Sequence, residues 1–352
     1  MPPLPPELAT LLAAGYVLCQ KHPTAELFIF NYTSKTQYEG HWTEWTRRCR
    51  GLILDGQGRA VARPFEKFFN LDELGPNPVL PDEAFQVFDK LDGSLGILYW
   101  ADDVAAIATR GSFVGEQARR ATALLHRQYA PLLPGLDRSQ TYLFEIIYPE
   151  NRIVLDYGGR EELVLLAVVD TATGREPLHL PRSTGFPVVA ELAALPHPAA
   201  ARALDRDDAE GVVLRYPTAG LRLKVKFAEY TRLHRILSQV SSLNLWEYLA
   251  TGQPLAPILD RVPDEFYAWV KATVADLEAR YAALETAARA AVAAAEPLRT
   301  DRKTLAAFVQ AQPHPGILWR MLDGKPHAEL IWKLVRPAFA RPPQGGAALN
   351  EE

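Results

Sequence analysis

The residues richest in chemistry are lysines and carboxylates set within short apolar runs. Lys90-Leu91-Asp92-Gly93-Ser94 lies between two strand-like runs, Phe85–Phe88 and Leu95–Trp100. A lysine in such an Asp-Gly turn is either a solvated hairpin residue or a placed nucleophile. An amine attacks only when neutral, and free lysine has a pKa of ~10.4. Nearby cations and a desolvated pocket both lower that value. Lys224-Val225-Lys226 offers such cations, because i, i+2 spacing on a strand sends both side chains to one face. The plain alternative for this pair is a solvated strand face. Glu145 sits among Phe144, Ile146 and Ile147, and alternation puts it on the face shared with Leu143 and Ile147. A charge on a half-buried strand is costly unless it is paired or bound to a ligand. Glu210 precedes Gly211, whose missing side chain lets backbone approach a ligand.

Other blocks surround these residues. Upstream are Arg50-Gly51-Leu52 and Glu66-Lys67-Phe68-Phe69-Asn70. Downstream of Lys90 come Thr109-Arg110-Gly111-Ser112, Leu143-Phe144-Glu145-Ile146-Ile147, Asn151-Arg152-Ile153-Val154, Glu210-Gly211-Val212-Val213 and Leu223-Lys224-Val225-Lys226-Phe227. In this order the set resembles the covalent nucleotidyltransferases, the polynucleotide ligases and mRNA capping enzymes, whose nucleophile motif is KxDGS. The Arg-Gly, Lys-Phe-Phe-Asn and Asn-Arg-Ile-Val segments resemble the RNA ligase 1 group, typified by the T-even phage tRNA-repair enzyme. The resemblance covers roughly residues 27–235. Each block alone is a weak signal, whereas the ordered set is specific.

What the resemblance implies is an ATP-dependent RNA ligase. Lys90 would take AMP from ATP, AMP would pass to a 5′-phosphate RNA end, and a 3′-hydroxyl would then attack and release AMP. Lys90, Lys224, Lys226 and Glu210 would be the catalytic residues. Arg50 and Lys67 would grip the β and γ phosphates, Arg with a bidentate fork and Lys as a point charge. Both lie in a basic stretch with Arg47, Arg48, Arg59 and Arg63, opposed only by Asp55 and Glu66. Asp92, Gly93, Glu145, Lys224 and Lys226 would complete ATP binding, with Glu145 on the ribose and Asp92 orienting the nucleophile or the ribose. Glu210 would orient water or hold Mg2+ (or Mn2+) near the reacting phosphate. The implied partners are RNA with 5′-phosphate and 3′-hydroxyl ends, tRNA among them, and an end-healing kinase/phosphatase.

Blander readings stand beside these. Glu66 and Lys67 also read as an ordinary surface pair, although Phe68 and Phe69 point to an anchored element. Asp207 and Asp208 read as solvated loop charges. Trp42 and Trp45 either stack on RNA bases or pack. Arg119, Arg120 and Arg127 read as a solvated helix face, and the eight histidines, His126 and His234 included, form no metal pattern.

The elements that must position these residues fall into two textures. From Leu27 to Tyr230 strand-like runs dominate: Leu27–Tyr32, Leu52–Leu54, Phe85–Phe88, Leu95–Trp100, Tyr142–Tyr148, Leu163–Val169, Gly211–Tyr216 and Leu221–Phe227. One helix interrupts them, Glu116–Tyr129, with Ala118, Ala121, Leu124 and Leu125 as its stripe. Beyond lies a long amphipathic helix, Asp264–Ala295, capped by Asp264, with Phe266, Val270, Val274, Leu277, Tyr281 and Leu284 inward. Shorter helices are predicted at Leu305–Val309, Ile317–Leu322 and Leu330–Val335.

The fold class is therefore α+β: a nucleotidyltransferase (ATP-grasp-like ligase adenylylation) fold of antiparallel sheets and helices, followed by an all-helical C-terminal domain. The expected boundaries are 1–235 for the adenylyltransferase domain, 236–340 for the helical domain and 341–352 for a disordered tail. DNA ligases and capping enzymes usually carry a β-barrel OB module after the last block. Helical texture there, and the Phe-Phe-Asn signature, argue against both. A non-catalytic nucleotide- or RNA-binding module would lack Lys90, Glu210 or one of the paired lysines.

Composition sets the outer limits. The net charge of −4 over 352 residues gives no global basic character, so any RNA surface must be local. Two cysteines, Cys19 and Cys49, make no disulfide framework and fit a reducing cytoplasm. Met1–Leu18 carries Glu7 and no basic start, so it reads poorly as a signal peptide. No apolar run is long enough to span a membrane.

Overall fold

Among the described residues, short apolar runs in the first two thirds of the chain form twelve strands, β1–β12, in three four-stranded sheets of the computed structural model. It describes residues 1–75, 78–151, 153–204, 206, 209–228, 230–231, 240–259 and 266–342. Arg152, Asp207, Asp208, His234, the Asp264 cap and the tail from 343 onward lie outside the described residues. The chain divides into two units, Met1–Leu237 and Ser238–Glu352.

The first sheet of unit 1 orders β1 (Val17–Lys21), β2 (Leu27–Tyr32), β3 (Arg50–Asp55) and β4 (Ala60–Ala62). The second orders β10 (Glu162–Asp170), β9 (Gln140–Ile147), β7 (Ser94–Ala101) and β8 (Val104–Ala108). The third orders β5 (Phe69–Asn70), β12 (Leu221–Lys226), β11 (Gly211–Tyr216) and β6 (Gln86–Lys90). All pairings are antiparallel except β5 with β12, which is parallel.

Strand alternation decides which residues meet. Leu27, Ile29 and Ile53 from the first sheet pack with Ile97, Tyr99 and Leu143 from the second, making one core between two sheets. The far face of the second sheet, with Leu98, Phe144 and Ile146, is covered by α4 (Glu116–Gln128). Its predicted stripe, Ala118, Ala121, Leu124 and Leu125, is wholly buried. The far face of the first sheet receives α1 (Pro6–Ala13) through Leu8 and Leu11. Two short helices, α2 (Ser34–Glu39) and α3 (Glu44–Arg48), bridge β2 and β3 and are capped by Thr33 and Thr43. One face of the third sheet is apolar, with Val87, Val212, Leu214, Leu223 and Val225.

In unit 2 every regular element among the described residues is a helix: α5 (Ser242–Thr251), α6 (Ala256–Leu259), α7 (Tyr267–Ala295), α8 (Arg302–Gln310), α9 (Pro315–Leu322) and α10 (Ala328–Leu334). Phe266, Val270, Val274 and Leu277 are buried, as the helical spacing requires. Further along α7, Ala288 and Ala295 join Leu305, Val309, Ile317, Leu318 and Ile331 in a core of this unit's own. Trp246 donates its indole N–H to the Trp332 carbonyl at 2.8 Å, and Ser242 bonds Ala338 and Ala340. The first helix and the last described residues of the unit are thereby tied together.

The inter-sheet core gives the first test. Ile97 is fully buried there, and Ile97→Ala is expected to cost ~2–5 kcal/mol. Chemical denaturation measures this, and a loss under ~1 kcal/mol would show that the site can collapse around the gap.

Candidate active site

The second face of the third sheet is where the charged residues gather. Register sets Lys90 on β6 opposite Gly211 on β11, and Gly211 opposite Lys226 on β12. The three residues therefore form one rung across three strands. One step along, Phe88, Val213 and Lys224 make the next rung on the same face, and Lys224 also pairs with Asn70 of β5. The i, i+2 reading of the paired lysines thus corresponds to one sheet face, and that face is not solvated: Lys224 is 8% exposed. Gly211 is needed for a reason different from ligand access. A Cβ there would lie 2.1 Å from the Val225 carbonyl oxygen, so the glycine lets β11 close onto β12 at this rung.

Glu210 enters β11 beside that glycine and is 3% exposed. Its Oε1 lies 2.6 Å from Lys90 Nζ and 3.2 Å from Lys226 Nζ. A buried carboxylate requires such compensation. The arrangement brings three separately coded blocks to one oxygen. An acceptor 2.6 Å from an amine is within reach for proton transfer.

Asp92 is 2% exposed and is bound entirely from within the chain. Its Oδ2 accepts from the Val154 and Leu155 N–H groups, each at 2.8 Å, and its Oδ1 accepts from the Tyr230 hydroxyl at 2.7 Å. The Asp92 N–H donates to the Tyr157 hydroxyl at 2.8 Å. Ser94 adds a bond to Asn151, which itself bonds the Ile146 carbonyl. Asp92 therefore locks the turn of Lys90 to the 151–157 loop and to the segment after β12. Tyr157 and Tyr230 escaped sequence analysis, since their contacts with Asp92 span 65 and 138 positions. A cavity of about 160 Å³ adjoins Asp92, lined also by Tyr148, Asn151, Leu155 and Arg160. It is smaller than the ~300 Å³ at which small-molecule sites begin.

Glu145 lies on β9 opposite Leu95 of β7 and Val164 of β10. The Gly93 N–H donates to its carboxylate. Burial pushes the Glu145 carboxyl up to about 8; Lys90 opposes the shift, and Glu210 and Asp92 add to it. The cost foreseen for a carboxylate on an apolar strand is thus realised as retained protonation.

Arg50 and Lys67 lie in a second cluster. Arg50 opens β3 opposite Asn31, with its guanidinium 5.5 Å from the Phe68 ring. Lys67 is 6% exposed and lies among the Tyr32, Trp42 and Phe69 rings. Its burial departs from the reading as an ordinary surface residue, and Glu66 pairs with Arg48. Trp42 packs edge-on against Tyr32 and Phe69, and Trp45 carries the Arg48 guanidinium. Arg120 and Arg127 are ion-paired to Glu161, as a solvated helix face allows.

The chain is similar to known proteins. A family model described as RNA ligase matches residues 48–231. The chain is 32% identical over 200 residues to a protein of Autographa californica nuclear polyhedrosis virus assigned as a bifunctional polynucleotide kinase/RNA ligase, covering 47% of this chain and 28% of that protein. It is 33% identical over 138 residues to a Thermovibrio ammonificans protein assigned as an RNA ligase, covering 38% of this chain and 36% of that one. The chain thus spans about a third of the length of these relatives. Among solved structures, an archaeal ATP-dependent RNA ligase aligns with a TM-score of 0.46 at 18% identity, over 75% of this chain and 70% of that chain. An RNA ligase of Naegleria gruberi with ATP and Mn aligns at 0.37 and 19% identity, over 44% of this chain and 52% of that chain.

Glu145 yields a pH test. Its folded pKa lies above the unfolded value, so the folded state holds more protons between the two, and stability falls as pH rises from about 4.5 to about 8. Glu145→Gln cannot titrate. Thermal melts between about pH 5 and about pH 8.5 should show the unsubstituted chain losing stability relative to Glu145→Gln. Parallel curves would contradict the assignment.

Proposed function

The chain belongs to the RNA ligase family whose model it matches over residues 48–231, and on that premise we propose that it is an ATP-dependent RNA ligase working through a lysyl-AMP on Lys90. The observation that carries this reading is the convergence of Lys90 and Lys226 on one Glu210 oxygen, at 2.6 and 3.2 Å. In the first step the Lys90 nitrogen, once neutral, bonds to the α-phosphorus of ATP while the bond from that phosphorus to pyrophosphate breaks; the proton shed on bonding passes to solvent, and an earlier proton must leave the ammonium to make the nitrogen neutral. Glu210 lies where it can receive that proton. Lys224 and Lys226 offset charge on the phosphate oxygens. Arg50 and Lys67 hold the β and γ phosphates, and Glu145 and Gly93 bound the ribose side. Asp92 acts through the turn it locks.

The donor set also bears on the metal. Among the described residues no group of three or more His, Cys, Asp or Glu converges. Magnesium is commonly bound by one or two carboxylates together with substrate phosphates. Glu210 and a nucleotide's phosphates fit that use for Mg2+ or Mn2+. A cation held there would supply positive charge that offsets the charge of the phosphates.

The proposed substrate is RNA with a 5′-phosphate and a 3′-hydroxyl, broken tRNA among the candidates. The viral relative assigned as a kinase/ligase supports a kinase that supplies the 5′-phosphate. Among the described residues no helix is long and apolar enough to cross a membrane, and action in the cytoplasm is part of the proposal.

Protein mixed with labelled ATP and magnesium should gain one covalent AMP, and Lys90→Ala should gain none. AMP on a different lysine, or no adduct with either metal, would refute the mechanism. Arg50→Ala and Lys67→Ala should impair adenylylation yet spare sealing of RNA supplied already adenylylated, because pyrophosphate is then absent. Glu210→Ala and Lys226→Ala should impair both steps. Equal losses in both assays for all four variants would remove the division of roles.

A further inference from the structure

The turn that carries Lys90 is held at each of the next four residues. Leu91 packs against a small cluster of Ile147, Val164 and Val189, and Tyr157 packs against the same cluster. Asp92 is tied through its carboxylate and also through its N–H. Gly93 has no room for a side chain: a Cβ there would lie 2.6 Å from the Ile146 carbonyl oxygen and 3.1 Å from Glu145 Cγ. Ser94 donates to Asn151 at 3.1 Å. The tie on the Asp92 N–H is made by a side chain, the Tyr157 hydroxyl, at 2.8 Å.

Local structure fixes Tyr157. The Asn151 N–H donates to the Tyr148 carbonyl at 3.0 Å, closing a short turn, and Val154 and Leu155 dock on Asp92. Past Tyr157 the chain turns back through Gly158 and Gly159, whose φ values are +64° and +79°. Asp156 Oδ1 accepts from the Gly158 N–H at 2.9 Å, a local bond typical of such turns. The Arg160 guanidinium lies 5.7 Å from the Tyr157 ring. Tyr157 is thus set between a docked segment and a glycine turn. Burial pushes its hydroxyl above the usual tyrosine range; the Asp92 N–H opposes that shift, and the Asp92, Glu145 and Glu210 carboxylates add to it. The hydroxyl therefore keeps its proton and offers an acceptor, not a base.

We propose that Tyr157 is a positioning residue for the nucleophile: by accepting from the Asp92 N–H, it fixes the turn that sets Lys90 for attack on the α-phosphate. The proposal rests on the reading of Lys90 as the nucleophile. An attacking atom must lie about 3–3.5 Å from its target in the right alignment, and a shift of ~1 Å can cost ~10²-fold in rate. Without the hydroxyl, the buried Asp92 N–H loses its acceptor, and the turn is relieved only by moving. The carboxylate bonds of Asp92 remain, so the turn shifts and does not unfold.

The test uses the full chain with Tyr157→Phe, which keeps the ring and removes only the hydroxyl. Readouts are the maximal rate of self-adenylylation, the ATP concentration at half-maximal rate, the pH dependence of that rate, sealing of pre-adenylylated RNA, and thermal melting. Tyr157→Phe should lower the maximal rate about tenfold and leave the half-saturating ATP concentration within about twofold. Sealing of pre-adenylylated RNA should stay within about twofold, because Lys90 attacks nothing in that step. The midpoint of the rate–pH profile should not move. In the unsubstituted chain the Asp92 amide should resist hydrogen exchange, and Tyr157→Phe should speed its exchange at least about tenfold.

The proposal falls if Tyr157→Phe adenylylates itself at the unsubstituted rate. It falls if sealing of pre-adenylylated RNA drops as much as adenylylation, or if melting ceases to be cooperative, since either marks a general structural role. A raised half-saturating ATP concentration with an unchanged maximal rate would make Tyr157 an ATP contact, and a shifted rate–pH midpoint would make it an acid–base group; both overturn the positioning role. The unsubstituted chain gives an independent reading: an Asp92 amide that exchanges as fast as an exposed loop would overturn the proposal without any variant. Absence of AMP from Lys90 in the unsubstituted chain would instead overturn the underlying reading of Lys90. A normally adenylylated Lys90 with an indifferent Tyr157→Phe would overturn the role of Tyr157 alone.

Discussion

The site depends on one buried carboxylate. Glu210 is 3% exposed and is compensated by Lys90 and Lys226. Stripping one partner from a buried ion pair typically costs ~3–5 kcal/mol, since the remaining charge is left uncompensated. Glu210 has a second lysine beside it, so the loss of either partner leaves one compensating cation. The sheet makes this possible. Strands β6, β11 and β12 hold Lys90, Gly211 and Lys226 in a single rung, so the backbone ladder fixes the spacing of the two lysines. The apolar side of the same sheet, with Val87, Val212 and Val225, secures the ladder.

Rigidity of the lysine turn comes from a different carboxylate. Asp92 spends its oxygens on Val154, Leu155 and Tyr230, so it organises the backbone. That binds the nucleophile turn to two distant segments. Asn151 and Val154 meet Ser94 and Asp92 directly, Val154 through its backbone N–H. Glu145 differs again. Burial pushes its carboxyl up to about 8, so the three acidic residues around Lys90 differ in what surrounds them: Glu210 is ion-paired, Asp92 is hydrogen-bonded and Glu145 is shifted upward by burial.

Much of this was legible in sequence, and the limits were physical. Longer strands were readable because apolar residues run over enough positions, as in Gln140–Ile147, which is buried on both faces. The shortest and least apolar edge strands were not. Val104–Ala108 is alanine-rich, and Phe69–Asn70 has two residues, so neither carries a period. Helices α2 and α3 are five or six residues long and are set by threonine caps. Residue types at the site were legible because phosphate chemistry restricts them. The partners were not, since Lys90 and Glu210 meet only through strand register. Trp42 illustrates the same limit. Its sequence neighbourhood left packing and RNA stacking open, and only the fold brings it edge-on against Tyr32 and Phe69.

Lys90 and Lys226 share one carboxylate oxygen, and the surroundings of Lys67 include the Tyr32, Trp42 and Phe69 rings. In the proposed reaction the nucleophile must surrender a proton, and an adjacent carboxylate is a base that can accept it. A Lys90 set among rings alone would have no such acceptor. The acidic neighbour is thus as much a part of the proposed chemistry as the lysine itself.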